Sequence, residues 1–262
     1  MSKAVILIPV YKPELNAEEE KSIRQTLAIL GKHELCFVAP AGLKFSYFES
    51  SGIRIEYFHP DYFASISGYN RLLLSVEFFK RFEKFSHMLI CQADVWIFRD
   101  ELAQWMGRPY DYIGSPIRGK DGNWIPMGGN GGFSLRNIQS ALKVLQTRKI
   151  MSNPAQVLRE HRKFHNWSGL FLRSPIILAR MLGYRNNSLT FVKEFGSNED
   201  VFWSLYAPLI DTRFRVAPFA EEIAFGFDRH PEVLFNMNQN CLPFGCHAWE
   251  KTYATFWKTY ID

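Results

Sequence analysis

Residues Ala4-Val5-Ile6-Leu7-Ile8-Pro9-Val10 form an unbroken apolar run close to the start of the chain. A strand wet on one face alternates apolar and polar residues. A run that is apolar at every position fits a strand covered on both faces, as in a parallel sheet between two layers of helices. Reading outward, Asn16 can cap a helix that runs to Leu30, with Gly31 as its stop. Glu34–Ala39 and Ile53–Phe58 read as the next two strands. Ser67–Phe85 reads as one helix, with Leu72, Leu73, Val76 and Phe79 near helical spacing. His87–Phe98 (HMLICQADVWIF) reads as one strand and Tyr110–Ser115 as another. Met127–Leu135 reads as a glycine-dense turn and Ile138–Leu145 as a helix. This alternation predicts an α/β sheet with helices on both faces.

The stretch from Lys149 to Arg185 breaks the pattern. It is rich in Arg, Lys and His, then apolar at helical spacing through Trp167, Leu170, Phe171, Ile177, Leu178, Met181 and Leu182, with Pro175 placed to start a helix. It reads as a helical insertion within a single domain spanning 1–262. Two readings of it stand: helices that cover the core, or a basic amphipathic surface for a membrane or a lipid-linked acceptor. Beyond it, Asn198–Tyr206 reads as a helix, Phe214–Ala217 as a strand, and the aromatic, polar tail from Phe244 as a segment docked on the body.

Length and composition set limits. The 262 residues suffice for a sizeable core, and 47% hydrophobic with 22% charged residues is ordinary globular composition. Aromatics reach 16%, enough for a Phe-rich core with some rings left to stack on sugars. The formal charge is +5 and the pI about 9.0, which suits an anionic ligand such as a nucleotide diphosphate, or an anionic membrane surface. No nucleic-acid signature is present, and none of Cys36, Cys91, Cys241 and Cys246 forms a CxxC pair. Met1-Ser2-Lys3 leads straight into a strand, and no apolar run approaches the roughly 18–20 residues of a membrane span, so a cytoplasmic protein is expected.

Five groups of residues have chemistry to offer. Asp94, in Gln92-Ala93-Asp94, interrupts apolar surroundings where an ionised carboxylate needs a partner or a metal. Such an acid at the carboxyl end of a strand faces a ligand crevice, or else caps a turn or pairs with Arg99. Gly128-Gly129-Asn130-Gly131-Gly132 places four glycines in five residues, more than a plain turn needs, and fits close approach of backbone to ligand. Asn198-Glu199-Asp200 reads either as a helix cap with acids in the first turn or as the seat of a catalytic base held ionised by the helix terminus. His247 is either structural or a partner to a carboxylate in holding a divalent ion. Arg71 and Asn70, in Gly68-Tyr69-Asn70-Arg71, read as a surface helix start or as contacts to a diphosphate and a nucleoside.

Taken in order, AVILIPVYKPEL, GYNRLLLS, QADVWIF, YDYIG, GNGGFSLR, NEDVFWS and LPFGCHAWEK resemble the GT-A glycosyltransferases, and most closely a bacterial glycosyltransferase-like family of uncharacterised function. The resemblance spans nearly the whole chain and is weakest from about 149 to 185. It implies a GT-A-like, Rossmann-like mixed and mainly parallel sheet flanked by helices. It implies that Pro9, Val10 and Tyr11 lie near a nucleotide base, and that Asn70, Arg71, Gln92 and Asp94 complete a donor site. Gln92-Ala93-Asp94 takes the place of the family's Asp-x-Asp motif, so Asp94 with His247 would hold Mn²⁺ or Mg²⁺; Gln92 departs from the motif and removes one charge. Gly129, Asn130, Gly131, Gly132 and Trp249 would border acceptor and sugar, and Asp200 or Glu199 would be the base of an inverting transfer. The implied partners are a nucleotide-sugar donor and a glycan or lipid-linked acceptor of surface polysaccharide assembly, with peripheral contact at the inner membrane face and no nucleic acid. Three rivals remain: a sugar nucleotidyltransferase, disfavoured by Tyr11-Lys12-Pro13-Glu14 where a glycine-rich basic loop would stand; a non-catalytic nucleotide- or carbohydrate-binding protein; and a plain structural domain, which leaves the four-glycine segment unexplained.

Overall fold

The computed structural model describes residues 3–44, 52–119, 122–251 and 253–261. The apolar run forms β1 (Ala4–Pro9), buried at every position. Its residues alternate between two cores: Val5 and Leu7 enter one, Ala4, Ile6 and Ile8 the other. That alternation is the physical meaning of a run without polar residues, because each face of the strand has its own apolar layer. α1 (Ala17–Leu30) starts in a reciprocal cap, with Glu19 N donating to Asn16 Oδ1 at 2.8 Å and Asn16 N to Glu19 Oε2 at 3.0 Å. β2 (Glu34–Pro40) and β3 (Arg54–Phe58) follow, both parallel to β1.

The predicted helix over 67–85 is two helices, α2 (Ile66–Leu73) and α3 (Val76–Arg81). Ser75 ends the first turn sequence and caps the second, accepting from Phe78 N at 3.1 Å. The predicted strand over 87–98 also divides. β4 (His87–Cys91) lies in the main sheet, Gln92–Asp94 turns with Val95 N donating to Gln92 O at 3.0 Å, and β5 (Val95–Ile97) joins a different sheet. After α4 (Leu102–Met106) comes β6 (Tyr112–Ser115). The glycine-dense segment is not a turn alone: β7 (Asn130–Asn137) begins inside it. α5 (Ile138–Gln146) then covers the first core.

The main sheet has the order β3-β2-β1-β4-β7-β6, with β7 alone running against the other strands. It is the α/β sheet that the strand and helix alternation predicts, and its mixed, mainly parallel order is the one the resemblance implies. The stretch after α5 holds α6 (Pro154–Arg162), α7 (Trp167–Leu172) and α8 (Ser174–Met181), followed by α9 (Ser188–Lys193). α10 (Glu199–Val201) runs through a π-helical turn at Phe202–Tyr206 into α11 (Ala207–Ile210). Residues 214–217 make no strand; Val216 only bridges to Tyr112. α12 (Phe219–Phe225), β8 (Gly226–Phe227), α13 (Pro231–Met237), β9 (Gly245–His247) and α14 (Ala254–Trp257) complete the chain. β5, β9 and β8 form a second, three-stranded sheet. Trp96, Phe227, Cys246 and Trp257 build its core, so the aromatic tail is docked through buried rings.

Candidate functional site

Three stretches of chain meet at the carboxyl end of the parallel strands. The turn Gln92–Asp94 leaves β4, the segment Pro9–Lys12 leaves β1, and the start of β7 lies beside them. Beside these stand the start of α10 and the end of β9. The pairing of Val95 with His247, and an Ala248 N–H donated to Asp94 O at 3.0 Å, carry the histidine to the carboxylate. Together they enclose a cavity of about 460 Å³, within the usual range for small-molecule sites. Pro9, Val10, Tyr11, Asn70, Gln92, Asp94, Asn130, Gly131, Gly132, Glu199, Asp200 and His247 all line it.

Three expected residues do not. Arg71 lies on the exposed side of α2, where its Nη1 donates to Ser67 Oγ at 3.2 Å. Trp249 sits edge-on to Trp96 and donates to Ser22 Oγ at 2.8 Å, which makes it part of the tail's docking contact. Gly129 is buried against Gly114, and its carbonyl accepts from Tyr112 Oη at 2.9 Å. Its place is the β6–β7 join. Gly131 and Gly132 do face the cavity, and the reason for glycine there is proximity of side chains. A Cβ on Gly131 would stand 2.0 Å from Glu199 Oε1, and one on Gly132 would stand 2.5 Å from His247 Nε2.

The acids at α10 differ in kind. Glu199 is buried and bidentate with Arg136, both bonds 2.8 Å long, with side-chain exposures of 5% and 1%. Burial alone would lower the Arg136 pKa; Glu199 beside it outweighs that and raises it. Both Glu199 oxygens accept from the guanidinium, and burial raises the Glu199 pKa against the pull of Arg136; Asp200 is the carboxylate with no guanidinium partner. Asp200 Oδ1 accepts from Val201 N at 2.7 Å. Burial pushes its pKa up, against the pull of the Val201 and Gly131 backbone amides. The helix terminus was expected to lower it; desolvation in the cavity wall wins instead. The π turn that begins two residues after Asp200, at Phe202, is a local widening of a kind that recurs at functional sites. Asn70 holds this helix start, accepting from Glu199 N at 3.2 Å and donating to Asn198 Oδ1 at 3.4 Å.

On the opposite wall, Asp94 is 7% exposed and pairs with Lys251 Nζ through Oδ2, while its Oδ1 makes no hydrogen bond. Burial would raise its pKa, but His247 and Lys251 outweigh it and lower it. His247 Nε2 lies 3.1 Å from Gln92 Oε1 and 3.4 Å from Asp94 Oδ1, and its Nδ1 lies 3.4 Å from Asp228 Oδ1. Burial would lower the His247 pKa; Asp228 and Asp94 together raise it. Asp228 is also in reach of Asn130 Nδ2 at 3.3 Å, so the glycine segment and the histidine share one carboxylate.

Among the described residues no three His, Cys, Asp or Glu side chains gather as a metal site. The donors present are Asp94 Oδ1, His247 Nε2 and the neutral Gln92 Oε1. Donors cis to one another on an ion with bonds of about 2.1 Å stand about 3 Å apart, and the separations here are 3.1 and 3.4 Å. An unpartnered carboxylate oxygen and an imidazole oriented from behind by Asp228 fit a single Mn²⁺- or Mg²⁺-type ion. With Lys251 already on Asp94, the set fits a weak site.

Sequence reading missed Arg136, Asp228 and Lys251. Lys251 and Arg136 stand within stretches already singled out, LPFGCHAWEK and GNGGFSLR. Arg136 also stood out as a charge inside an apolar strand; Asp228 carried no signal.

A sequence profile described as "Protein of unknown function (DUF5672)" matches residues 52–247. No curated protein matches the chain. Among solved structures, it is similar to a galactosyltransferase LgtC crystallised with donor and acceptor sugar analogs, at 14% identity and TM-score 0.45, over 93% of this chain and 86% of that one. It is similar to the apo glycosyltransferase GlyE of Streptococcus pneumoniae TIGR4, at 11% identity and TM-score 0.48, over 99% of this chain and 60% of that one. A third is mouse xyloside xylosyltransferase 1, at 12% identity and TM-score 0.45, over 94% of this chain and 98% of that one.

Proposed function

The chain belongs to the family described as "Protein of unknown function (DUF5672)", and from its cavity we propose that it is a GT-A-like glycosyltransferase that moves a sugar from a nucleotide-diphosphate sugar to an acceptor hydroxyl. The observation that carries this reading is the convergence of Asp94, Gln92, His247 and Lys251 on one wall and Asp200 on the other, at the carboxyl end of a mainly parallel sheet. One wall offers charge suited to a diphosphate; the other offers a carboxylate with raised proton affinity.

In this reading the nucleotide enters beside Pro9, Val10 and Tyr11, whose ring is 61% exposed at the rim. Lys251 turns from Asp94 toward the diphosphate, a cation meeting oxygens that gain charge as the bond breaks. A divalent ion held by Asp94, His247 and the Gln92 amide would supply further charge neutralisation on the leaving group. Asn130, fixed by Asp228 and by its own Oδ1 accepting from Gly132 N at 2.7 Å, lines the sugar's place. The acceptor oxygen attacks the anomeric carbon as Asp200 takes its proton. The carbon–oxygen bond to the diphosphate breaks in the same step, and the electron pair leaves with the diphosphate. One displacement inverts the anomeric centre. Burial of Asp200 helps here, since a carboxylate with raised pKa is a stronger base. The expected setting is glycan assembly on a polysaccharide or lipid-linked acceptor.

The test is a thermal-shift screen of the purified chain against nucleotide diphosphates and their sugars, with and without Mn²⁺. A shift with one nucleotide, lost in Asp94→Ala, together with turnover lost in Asp200→Asn, supports the reading. Binding with no hydrolysis or transfer would move the protein to a non-catalytic nucleotide-binding role. No shift with any nucleotide overturns the proposal.

A further inference from the structure

The segment 149–185 leaves much of its apolar surface uncovered. α6, α7 and α8 pack on one another around Val157, Leu170 and Ile177, with Met181 beside them. Outside that small centre, Phe164, Trp167, Phe171, Leu172 and Leu182 are 72–80% exposed. Trp167 and Phe171 are four residues apart on α7, so they share a face, as do Leu178 and Leu182 at the end of α8. A water-facing surface carries single large apolar side chains at scattered points; this many within one short segment marks a contact surface.

The same segment holds the chain's excess charge. It contains seven Lys and Arg against one acid, Glu160, while the whole chain carries +5, so the remainder is close to neutral. The basic pI therefore belongs to this segment and not to the cavity. Its ion pairs among the described residues are Arg180 to Glu160 at 3.0 Å and Arg185 to Glu194 at 2.7 Å. Arg159, Lys163 and Arg173 are exposed and stand outside both. Arg162 lies 4.8 Å over the exposed Trp167 ring, which places a cation and an indole at one point of the surface.

We propose that residues 149–185 dock this protein on an anionic lipid bilayer. Trp167, Phe171 and Leu172 enter the boundary between headgroups and acyl chains, and the free Arg and Lys side chains reach lipid phosphates. Charge favours this occupant over a second copy of the chain, because a symmetric pairing would bring two strongly basic patches together. No helix among the described residues is long and apolar enough to cross a membrane, so the contact lies in the interface plane. The proposal stands independently of the transferase reading.

The test is flotation of the full chain with vesicles of phosphatidylcholine, alone or with about one third phosphatidylglycerol. The chain is expected to float with the anionic vesicles at least tenfold more strongly than with the neutral ones, and to release at about 0.5 M salt. Trp167→Ser/Phe171→Ser/Leu172→Ser and, separately, Arg159→Glu/Lys163→Glu/Arg173→Glu should each weaken binding at least tenfold while circular dichroism and thermal midpoint stay unchanged. No flotation of the unaltered chain on anionic vesicles overturns the proposal. So does flotation that both folded variants retain, or self-association in sedimentation velocity that the apolar variant abolishes while vesicle binding is absent.

Discussion

Removing Glu199 should harm this protein more than removing its partner Arg136, and the difference follows from proton chemistry. The pair is buried, with both guanidinium bonds to the carboxylate at 2.8 Å. In Glu199→Leu the guanidinium keeps its charge, because arginine does not deprotonate in proteins. It is left with the neutral acceptors Ser134 Oγ at 3.0 Å and Gly131 O at 3.3 Å. Stranding one member of a buried pair costs about 3–5 kcal/mol, a large share of a total stability of about 5–15 kcal/mol. In Arg136→Met the stranded carboxylate has an escape, since it can take a proton. From an ordinary value of 4.5, neutralising it at pH 7 costs about 3 kcal/mol, which caps the loss. That cap shrinks as pH falls, so Arg136→Met should recover stability at pH 5 while Glu199→Leu should not. The double variant Arg136→Met/Glu199→Leu should return to within about 2 kcal/mol of the original. Urea unfolding of the four proteins at pH 7 and pH 5 measures all of this. Single variants that each cost under about 1 kcal/mol, or losses that simply add, would refute the reasoning.

Glu222 offers a second titration. It is fully buried, neither carboxyl oxygen has a hydrogen-bond partner, and burial raises its pKa from 4.5 to about 8 against the pull of the Gly128 backbone. The folded state thus holds a proton that the unfolded chain releases above its ordinary value. Stability should fall as pH rises from 4.5 to about 8 and level off above, by up to about 1.4 kcal/mol per unit. Glu222→Gln should reduce the slope in that window and be more stable at pH 8; parallel stability profiles in urea would contradict it. Gly132→Ala should cost about 1–3 kcal/mol by overpacking, because its Cβ would meet His247 Nε2 at 2.5 Å and Gln92 Oε1 at 2.8 Å. Gly196→Ala, with nothing within 4 Å, is the control, and equal losses in the two would sink the close-approach argument.

The architecture was legible where one local rule governs. β1 announced its two buried faces, and Asn16 with Glu19 announced the start of α1. Local rules failed where two elements share one apolar pattern. The stretch over 67–85 keeps helical spacing through Ser75, yet that hydroxyl caps a new helix and breaks the old one. The stretch over 87–98 is apolar on both sides of Asp94, and only the pairing of β5 with β9 reveals that it serves two sheets. The site residues were legible as types, since a carboxylate, a histidine and clustered glycines each stood out in unsuitable surroundings. Their division of labour was not. Glu199 and Asp200 are neighbours in sequence, and what separates them is Arg136, brought from β7 by the fold. Arg71 shows the converse: a plausible residue type one position from Asn70 falls on the outer side of the same helix.

The pairing of β5 with β9 also fixes when in the protein's life the site can exist. Asp94 is synthesised early, but the histidine and the lysine that give it company arrive at 247 and 251. On the ribosome the N-terminal strands can collapse and bury their faces long before then. A nascent chain halted short of residue 247 would therefore carry most of the main sheet with an unmatched acid at the end of β4 and an incomplete cavity. Ligand can reward folding only once synthesis has passed that point, so the early steps must rely on the two apolar cores alone.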